Sequence, residues 1–531
     1  MDCTATRLAY KDTGYFTSII LDYLDHHKEL IPFYAHPVSY EGIQSAMHER
    51  EQFTTDRKLL AGELQKQYSK LESSVAVNNN IEKLLQENTF TITTAHQPAI
   101  FTGTLYFIYK ILHTVKIAES LIEKFPGRQF VPVYYMGSED ADLDELGNIF
   151  LNGEKIAWDT KQKGAVGRMN TKGLEKIIAK IEGELLIYPF GKELIDLLND
   201  CYLNSPDVQT ATLKLVHTLF AEYGVLVLIP DNAAFKRAMI PVFEEDLFHQ
   251  TASGIVDKTI HELSKHYKAQ AKPREINLFY LKDNLRGRIE KAGDKFIIHD
   301  SKLTFTETEM KEELHAHPEH FSPNVILRGI MQESLLPNIA FIGGGGEMAY
   351  WLELKDLFAN NKVPYPVLVL RNSFLIIEKK WKDKLDRLHL TSIDTFKPSE
   401  ELINDLVKAS SKNQLSLDNE LADAKLFYDK VRNIALQVDS TLAEHTEALQ
   451  ANALRLLKSL EKKLLKAEKR KFEDQRRQIQ SLKSALYPLN NLQERIDNFM
   501  PYYAKWGKEF ISMLYQNSLA LEQEFVVLEQ Q

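Results

Sequence analysis

The stretch TFTITTAHQPAIFTGTLYFIYKILHTVKIAESLIEKF, Thr89–Phe125, changes its local grammar twice. TFTITTA is rich in β-branched residues and predicts a strand. HQPAIFTG carries the Pro and Gly of a loop, and the segment from Thr104 onward spaces its apolar residues as an amphipathic helix does. Strand, loop and helix in this order make one β–α unit. A second unit opens at Phe130–Met136 (FVPVYYM), and further apolar strands are expected at Val225–Ile229, Asn338–Ile342 and Pro366–Leu370. Short apolar strands interleaved with helices predict an α/β fold with a mostly parallel sheet.

Working outward, residues 1–88 read as a helical preface that packs on the core, charged and poor in Gly and Pro between Glu41 and Gln86. Residues 89–398 form the core, with polar, Gly-containing insertions at about 151–172 and 277–320 that suit small antiparallel hairpins. No proline occurs from Ser399 to Tyr487, and 399–531 reads as a helical arm with further C-terminal helices. In the arm, Leu442, Leu449, Ala453, Leu456, Leu460, Leu464 and Ala467 step by sevens, threes and fours, the period of a coiled-coil seam. A break is expected near Phe472, and the polar turn Asn413–Asp418 before Asn419–Val438 suits an antiparallel hairpin.

Composition narrows the class. The chain has 531 residues, 44% hydrophobic and 26% charged, enough for a large core and some three domains. Its net charge of −9 argues against a surface that coats nucleic acid. Between Arg455 and Arg477 ten Lys or Arg face four acids, which reads either as a solvated helix face or as a local phosphate-binding patch. Cys3 and Cys201 are too few for a disulfide scaffold or a thiolate metal cage, so no zinc site is expected. The N-terminal MDCTATRLAYK lacks an apolar signal core, and no apolar run approaches the ~20 residues of a membrane span. The expectation is a cytoplasmic protein without membrane contact.

Four segments stand where chemistry is expected, at the carboxyl ends of strands. His96, Gln97, Thr102 and Gly103 lie between the first strand and its helix, where His96 would stabilise a phosphate, or would instead cap the backbone with Thr102 as a helix N-cap. Lys110 follows one turn into that helix. Ser138, Glu139, Asp140, Asp142, Asp144 and Glu145 follow the second strand, and their carboxylates would hold an ammonium group or Mg²⁺, or merely favour a helix start. Gly343, Gly344, Gly345 and Gly346 precede Glu347, Tyr350 and Trp351; bare backbone there admits a ligand, and the two aromatics would form a wall or belong to the core. Arg371 and Ser373 end the last strand, with Arg371 facing phosphate or paired to an acid. No G-x-G-x-x-G follows the first strand and no phosphate-binding G-x-x-x-x-G-K-[ST] occurs.

In this order AHQPAIFTGTLYFIYKILHTVKIA, VPVYYMGSEDADLDEL, SPNVILRGIMQESLLPNIAFIGGGGEMAYWLELK and PVLVLRNSFLIIEKK resemble the BshC cysteine ligase family of bacillithiol biosynthesis, along most of the chain. The resemblance implies a Rossmann-like core of the class I aminoacyl-tRNA synthetase kind, connecting-peptide insertions and a coiled coil used for homodimerisation. It implies joining cysteine to glucosaminyl-malate, with ATP or another adenine nucleotide activating the carboxylate and Mg²⁺ as a candidate companion. In that reading His96, Thr102 and Gly103 face phosphate, Asp140 or Asp142 the cysteine ammonium, and Gly343–Gly346 with Glu347 the sugar or nucleotide. The chain departs from the synthetase pattern: Gln97 and Pro98 follow His96 where a His-x-Gly-His is expected, and Lys379 and Lys380 stand alone where a Lys-Met-Ser-Lys-Ser loop would be. A nucleotide-binding transferase of the same fold and a non-catalytic coiled-coil binding protein are the competing readings.

Overall fold

A computed structural model describes residues 2–531. The chain divides into two compact units, one running to Ile376 and resuming over Asn491–Glu529, the other spanning Ile377–Asn490.

The first unit is built on five parallel strands: β1 (Thr89–His96), β2 (Gln129–Met136), β3 (Leu226–Leu228), β4 (Asn338–Gly343) and β5 (Val367–Leu370). Their order is β3-β2-β1-β4-β5, all neighbours parallel, which is the doubly wound Rossmann arrangement. Covered on both faces, the strands are almost wholly buried and therefore read as continuous apolar or β-branched runs. Pro132 is tolerated inside β2 because β3 pairs only with Val133–Tyr135, leaving that edge open beside the proline. The strand order reverses between β1 and β4, so their carboxyl ends diverge and leave a crevice.

Helix α1 (Tyr106–Lys124) returns from β1 and packs Ile117, Ala118 and Leu121 against Phe90, Ile92 and Ile342. It begins at Tyr106, later than the sequence suggests, because Ile100–Thr102 forms a separate 3-10 turn with Phe101 and Thr102 at positive φ. Helix α2 (Val325–Leu335) leads into β4, and α3 (Gly345–Trp351) follows the glycines.

The segment before β1 is mainly helical, and Ile43, Ala46 and Met47 of Tyr40–Glu51 enter the same core. It also contains a strand, Cys3–Leu8, which lies in a three-stranded sheet with Phe525–Gln530 and Ser373–Ile377. The insertions are antiparallel: a hairpin of Asn148–Leu151 with Glu154–Ala157, and a five-stranded sheet that includes Leu278–Lys282, Leu285–Ala292 and Phe321–Pro323.

The second unit holds helices α4 (Asp418–Val438), α5 (Leu442–Lys469) and α6 (Glu473–Leu486). A short turn folds α5 back along α4, and Arg432 Nε reaches Glu447 Oε1 at 2.7 Å across the pair. The break falls at the 3-10 turn Arg470–Phe472. Leu402, Ile403, Val407 and Ile479 form the buried cluster of this unit, whereas Leu449, Leu456 and Leu460 stay exposed.

The observed division departs from a boundary at 398 and an arm running to 531. The helical arm stops at Pro488–Asn490, where Leu489 and Asn490 adopt positive φ, and helices Met500–Trp506 and Lys508–Asn517 belong to the first unit. Buried Glu494, bonded to Arg371, anchors that return. Among the described residues no helix is long and apolar enough to cross a membrane.

Candidate functional site

The reversal of strand order opens a cavity of about 540 Å³ at the ends of β1 and β4. β1 brings Ala95, His96 and Gln97 to it, α1 brings Tyr106, and the loop after β2 brings Gly137, Asp140 and Glu145. The glycines Gly344, Gly345 and Gly346 with Glu347 and Tyr350 form the opposite wall, and Arg371 closes one end.

The charge balance is distinctive. Lys272, Arg274, Arg286, Arg328, Arg371 and Arg495 line the cavity against only Asp140, Glu145 and Glu347. A cavity so cationic favours a polyanionic ligand, while its carboxylates leave places for an ammonium group.

Lys110 lies beneath the floor, 1% exposed, with Nζ donating to Glu347 Oε2 at 2.6 Å and to Ala95 O at 2.5 Å. Burial pushes its pKa below the ordinary lysine value, opposed by the charge of Glu347. Glu347 Oε2 also accepts the Gly344 N–H at 2.8 Å, so one carboxylate fixes both the lysine and the glycine turn.

His96 is held neutral. Nδ1 donates to the Gln97 carbonyl at 2.7 Å, which leaves Nε2 to accept the Tyr106 hydroxyl at 3.0 Å. Burial, reinforced by the Lys110 charge, lowers its pKa to about 4. In this arrangement the neutral ring orients Tyr106.

Asp140 receives Arg328 in a short ion pair and Arg286 at 3.4 Å. Burial alone would raise its pKa, but the two guanidinium groups outweigh it and hold the carboxyl below its ordinary range. The Gln97 side chain adds a hydrogen bond to it. Arg371 is pinned by Glu494 at 2.7 Å and lies 4.8 Å from the Tyr106 ring centroid.

Several expected residues fall outside the cavity lining. Thr102 is buried at 1% exposure and does not cap α1, whose N-cap is Leu105. Gly103 serves the backbone: it has φ +66, and a Cβ there would approach Ala99 Cβ to 2.9 Å. Ser138 is buried against Gly167, and Glu139 pairs internally with Lys236, which also reaches Asp231 at 3.3 Å. Asp142 is an exposed N-cap of Leu143–Leu146. Trp351 stacks on Phe341 at 4.3 Å in the core, and Ser373 donates to buried Glu494. Gly343 ends β4, its carbonyl accepting the Arg371 N–H at 2.8 Å.

Sequence reasoning missed most of the cations. Arg328 sits in the apolar first half of α2, one turn after its N-cap Asn324, and a charge among Val325, Ile326, Leu327 and Ile330 is a readable signal. Arg274 and Arg286 come from a polar insertion without periodicity, and Arg495 from the far end of the chain. Among the described residues His317, Glu319 and His320 bring ligand atoms within 4.8 Å of one another, away from this cavity.

Comparison with known proteins matches the family model "Bacillithiol biosynthesis BshC, N-terminal Rossmann-like domain" over residues 1–372, and the C-terminal coiled-coil domain of the same family over 374–530. A Flavobacterium johnsoniae protein named "Putative cysteine ligase BshC" is 39% identical over 523 residues, covering 98% of this chain and 99% of that protein. A Cytophaga hutchinsonii protein of the same name is 37% identical over 512 residues, 96% of each chain. A solved Campylobacter jejuni chain described as "putative arginyl t-RNA synthetase" covers 85% of this chain and all of its own at 10% identity with a TM-score of 0.22, too loose a superposition to bear on the fold. With both family domains in sequence and curated relatives matched end to end, the chain belongs to the BshC family of bacillithiol biosynthesis.

Proposed function

We propose that this ligase joins L-cysteine to glucosaminyl-malate through an amide bond, the last step of bacillithiol assembly, with an adenine nucleotide activating the cysteine carboxylate. The observation that carries the reading is the charged cavity at the β1/β4 divergence, with six cations and three carboxylates on its walls. Nucleotide phosphates and the malate carboxylates require cations; the cysteine ammonium requires a carboxylate.

In this reaction the carboxylate oxygen of cysteine attacks ATP and takes either the terminal phosphoryl group, releasing ADP, or the adenylyl group, releasing pyrophosphate. The glucosaminyl nitrogen then attacks the carboxyl carbon, the phosphorylated oxygen leaves with its electron pair, and the nitrogen loses a proton. Arg371 and Arg328 are placed to stabilise the charge that builds on oxygen, each fixed in advance by Glu494 or Asp140. Asp140 and Glu347 are the carboxylates offered to the ammonium group. His96, with its ring neutral, orients Tyr106 at the cavity wall.

The test is incubation of purified protein with cysteine, glucosaminyl-malate and ATP with Mg²⁺, followed by mass spectrometry. Bacillithiol with matching AMP or ADP is the expected result. Absence of both products overturns the reading.

A further inference from the structure

Beside the charged cavity lies a second one of about 530 Å³, and the two share Gly345, Gly346 and Arg495. We propose that this second cavity receives the base and ribose of the nucleotide, whose phosphates cross the glycine edge to Arg495 and enter the charged cavity. The inference rests on the nucleotide-dependent reading above and adds to it where the adenosine part is held.

The lining chemistry separates the cavities. Tyr15, Phe16 and Tyr267 supply aromatic surface, Thr17 and Gln270 neutral hydrogen-bonding groups, and Ile20 an apolar wall. No carboxylate lines it, so the ammonium of cysteine or the amine of the glucosaminyl group finds no counter-charge there. An adenine ring needs π surface and neutral polar partners, and base–aromatic contact contributes roughly 1–3 kcal/mol per base. The ammonium-bearing substrates find their carboxylates only across the glycine edge, in the first cavity.

The shared edge suits a crossing polyphosphate. A Cβ on Gly346 would meet nothing within 4 Å, so the space beside it is open on the protein side. Arg495 is exposed and lines both cavities, so its guanidinium is open to an anion that spans them. Gly345 is packed the other way, its Cβ position 3.2 Å from Ile20 Cγ1, which fixes the edge against the wall of the second cavity.

Photolabelling of the full-length protein with 2-azido-ATP, followed by peptide mass spectrometry, tests the placement. Label on the peptides bearing Tyr15–Ser18 or Tyr267–Gln270, suppressed by excess ATP, is expected. ATP-suppressible label on Tyr106, Phe279 or another peptide that does not line the second cavity overturns the placement while leaving nucleotide use intact. No ATP-suppressible label anywhere overturns both. Thr17→Trp supplies a second measurement, because Thr17 is exposed and makes no side-chain cap bond, so bulk can be added without disturbing the core. Calorimetry should show ATP binding weakened about tenfold in this variant, with cysteine binding unchanged. Unchanged ATP affinity overturns the placement.

Discussion

Lys110 Nζ lies 2.6 Å from Glu347 Oε2, joining the helix that follows β1 to the glycine turn that follows β4. The two residues are 237 positions apart in the chain and meet where the strand order reverses. Because Lys110 is buried, Glu347→Gln takes away the carboxylate that balances its charge and leaves the Ala95 carbonyl to hold the ammonium group. Breaking a buried pair costs about 3–5 kcal/mol, and the partial exposure of Glu347 places this case toward the low end. Urea unfolding should show a loss near ~3 kcal/mol, and ligase turnover should fall with it.

Asp140→Asn removes the charge that holds Arg328 and Arg286 together. The two guanidinium groups then repel across the cavity and lose their fixed positions. Turnover should drop by about two orders of magnitude, the scale of losing a placed electrostatic group. Steady-state kinetics with cysteine varied checks this, and a turnover within twofold of the parent protein would remove Asp140 from the proposed chemistry.

Gly346→Ala separates ligand approach from backbone need. Nothing lies within 4 Å of the added Cβ and the residue has no positive φ, so thermal stability should stay within ~0.5 kcal/mol of the parent. If polyphosphate crosses this edge, the KM for ATP rises while the fold is untouched. Gly345→Ala, whose Cβ would sit 3.2 Å from Ile20, should instead lower stability.

Acid should destabilise the first unit through His96 and His113. His113 Nε2 donates to Ala520 O at 2.7 Å and Nδ1 accepts the Asn372 N–H at 3.1 Å, so only the neutral ring fits. Burial lowers both pKa values to about 4. Between pH 6.5 and 4 the unfolded state binds more protons, so stability is fully present above ~6.5 and falls as pH drops through 4. The loss should reach at most about 3 kcal/mol per histidine, and pH-dependent denaturation of His113→Asn should show the smaller slope.

Leu456 is 60% exposed on α5, and Leu449 and Leu460 share its uncovered seam. Leu456→Glu should leave the fold of the single chain intact by circular dichroism, since no burial is lost within the chain. If the seam joins two copies, light scattering after gel filtration should give a dimer for the parent and a monomer for the variant.

The sequence by itself determined the alternation of elements. β-branched strands buried on both faces and an amphipathic helix after β1 have one-dimensional signatures, and so do the glycine run and the proline-free arm, because period and composition are local properties. It also named Asp140, Glu347, His96, Gln97, Tyr350 and Arg371, which lie at strand ends or within the first turns beyond them and line the crevice. Tertiary structure decided the rest. Whether Ser138, Glu139 or Thr102 faces ligand or core depends on the path of a loop, and whether Trp351 does depends on the rotation of α3, neither of which spacing encodes. The protonation of His96 follows from Tyr106, Lys110 and the depth of burial. The cationic character of the cavity comes from an insertion, from α2 and from Arg495, brought together only when the strand order reverses and the C-terminal segment folds back to Arg371 through Glu494.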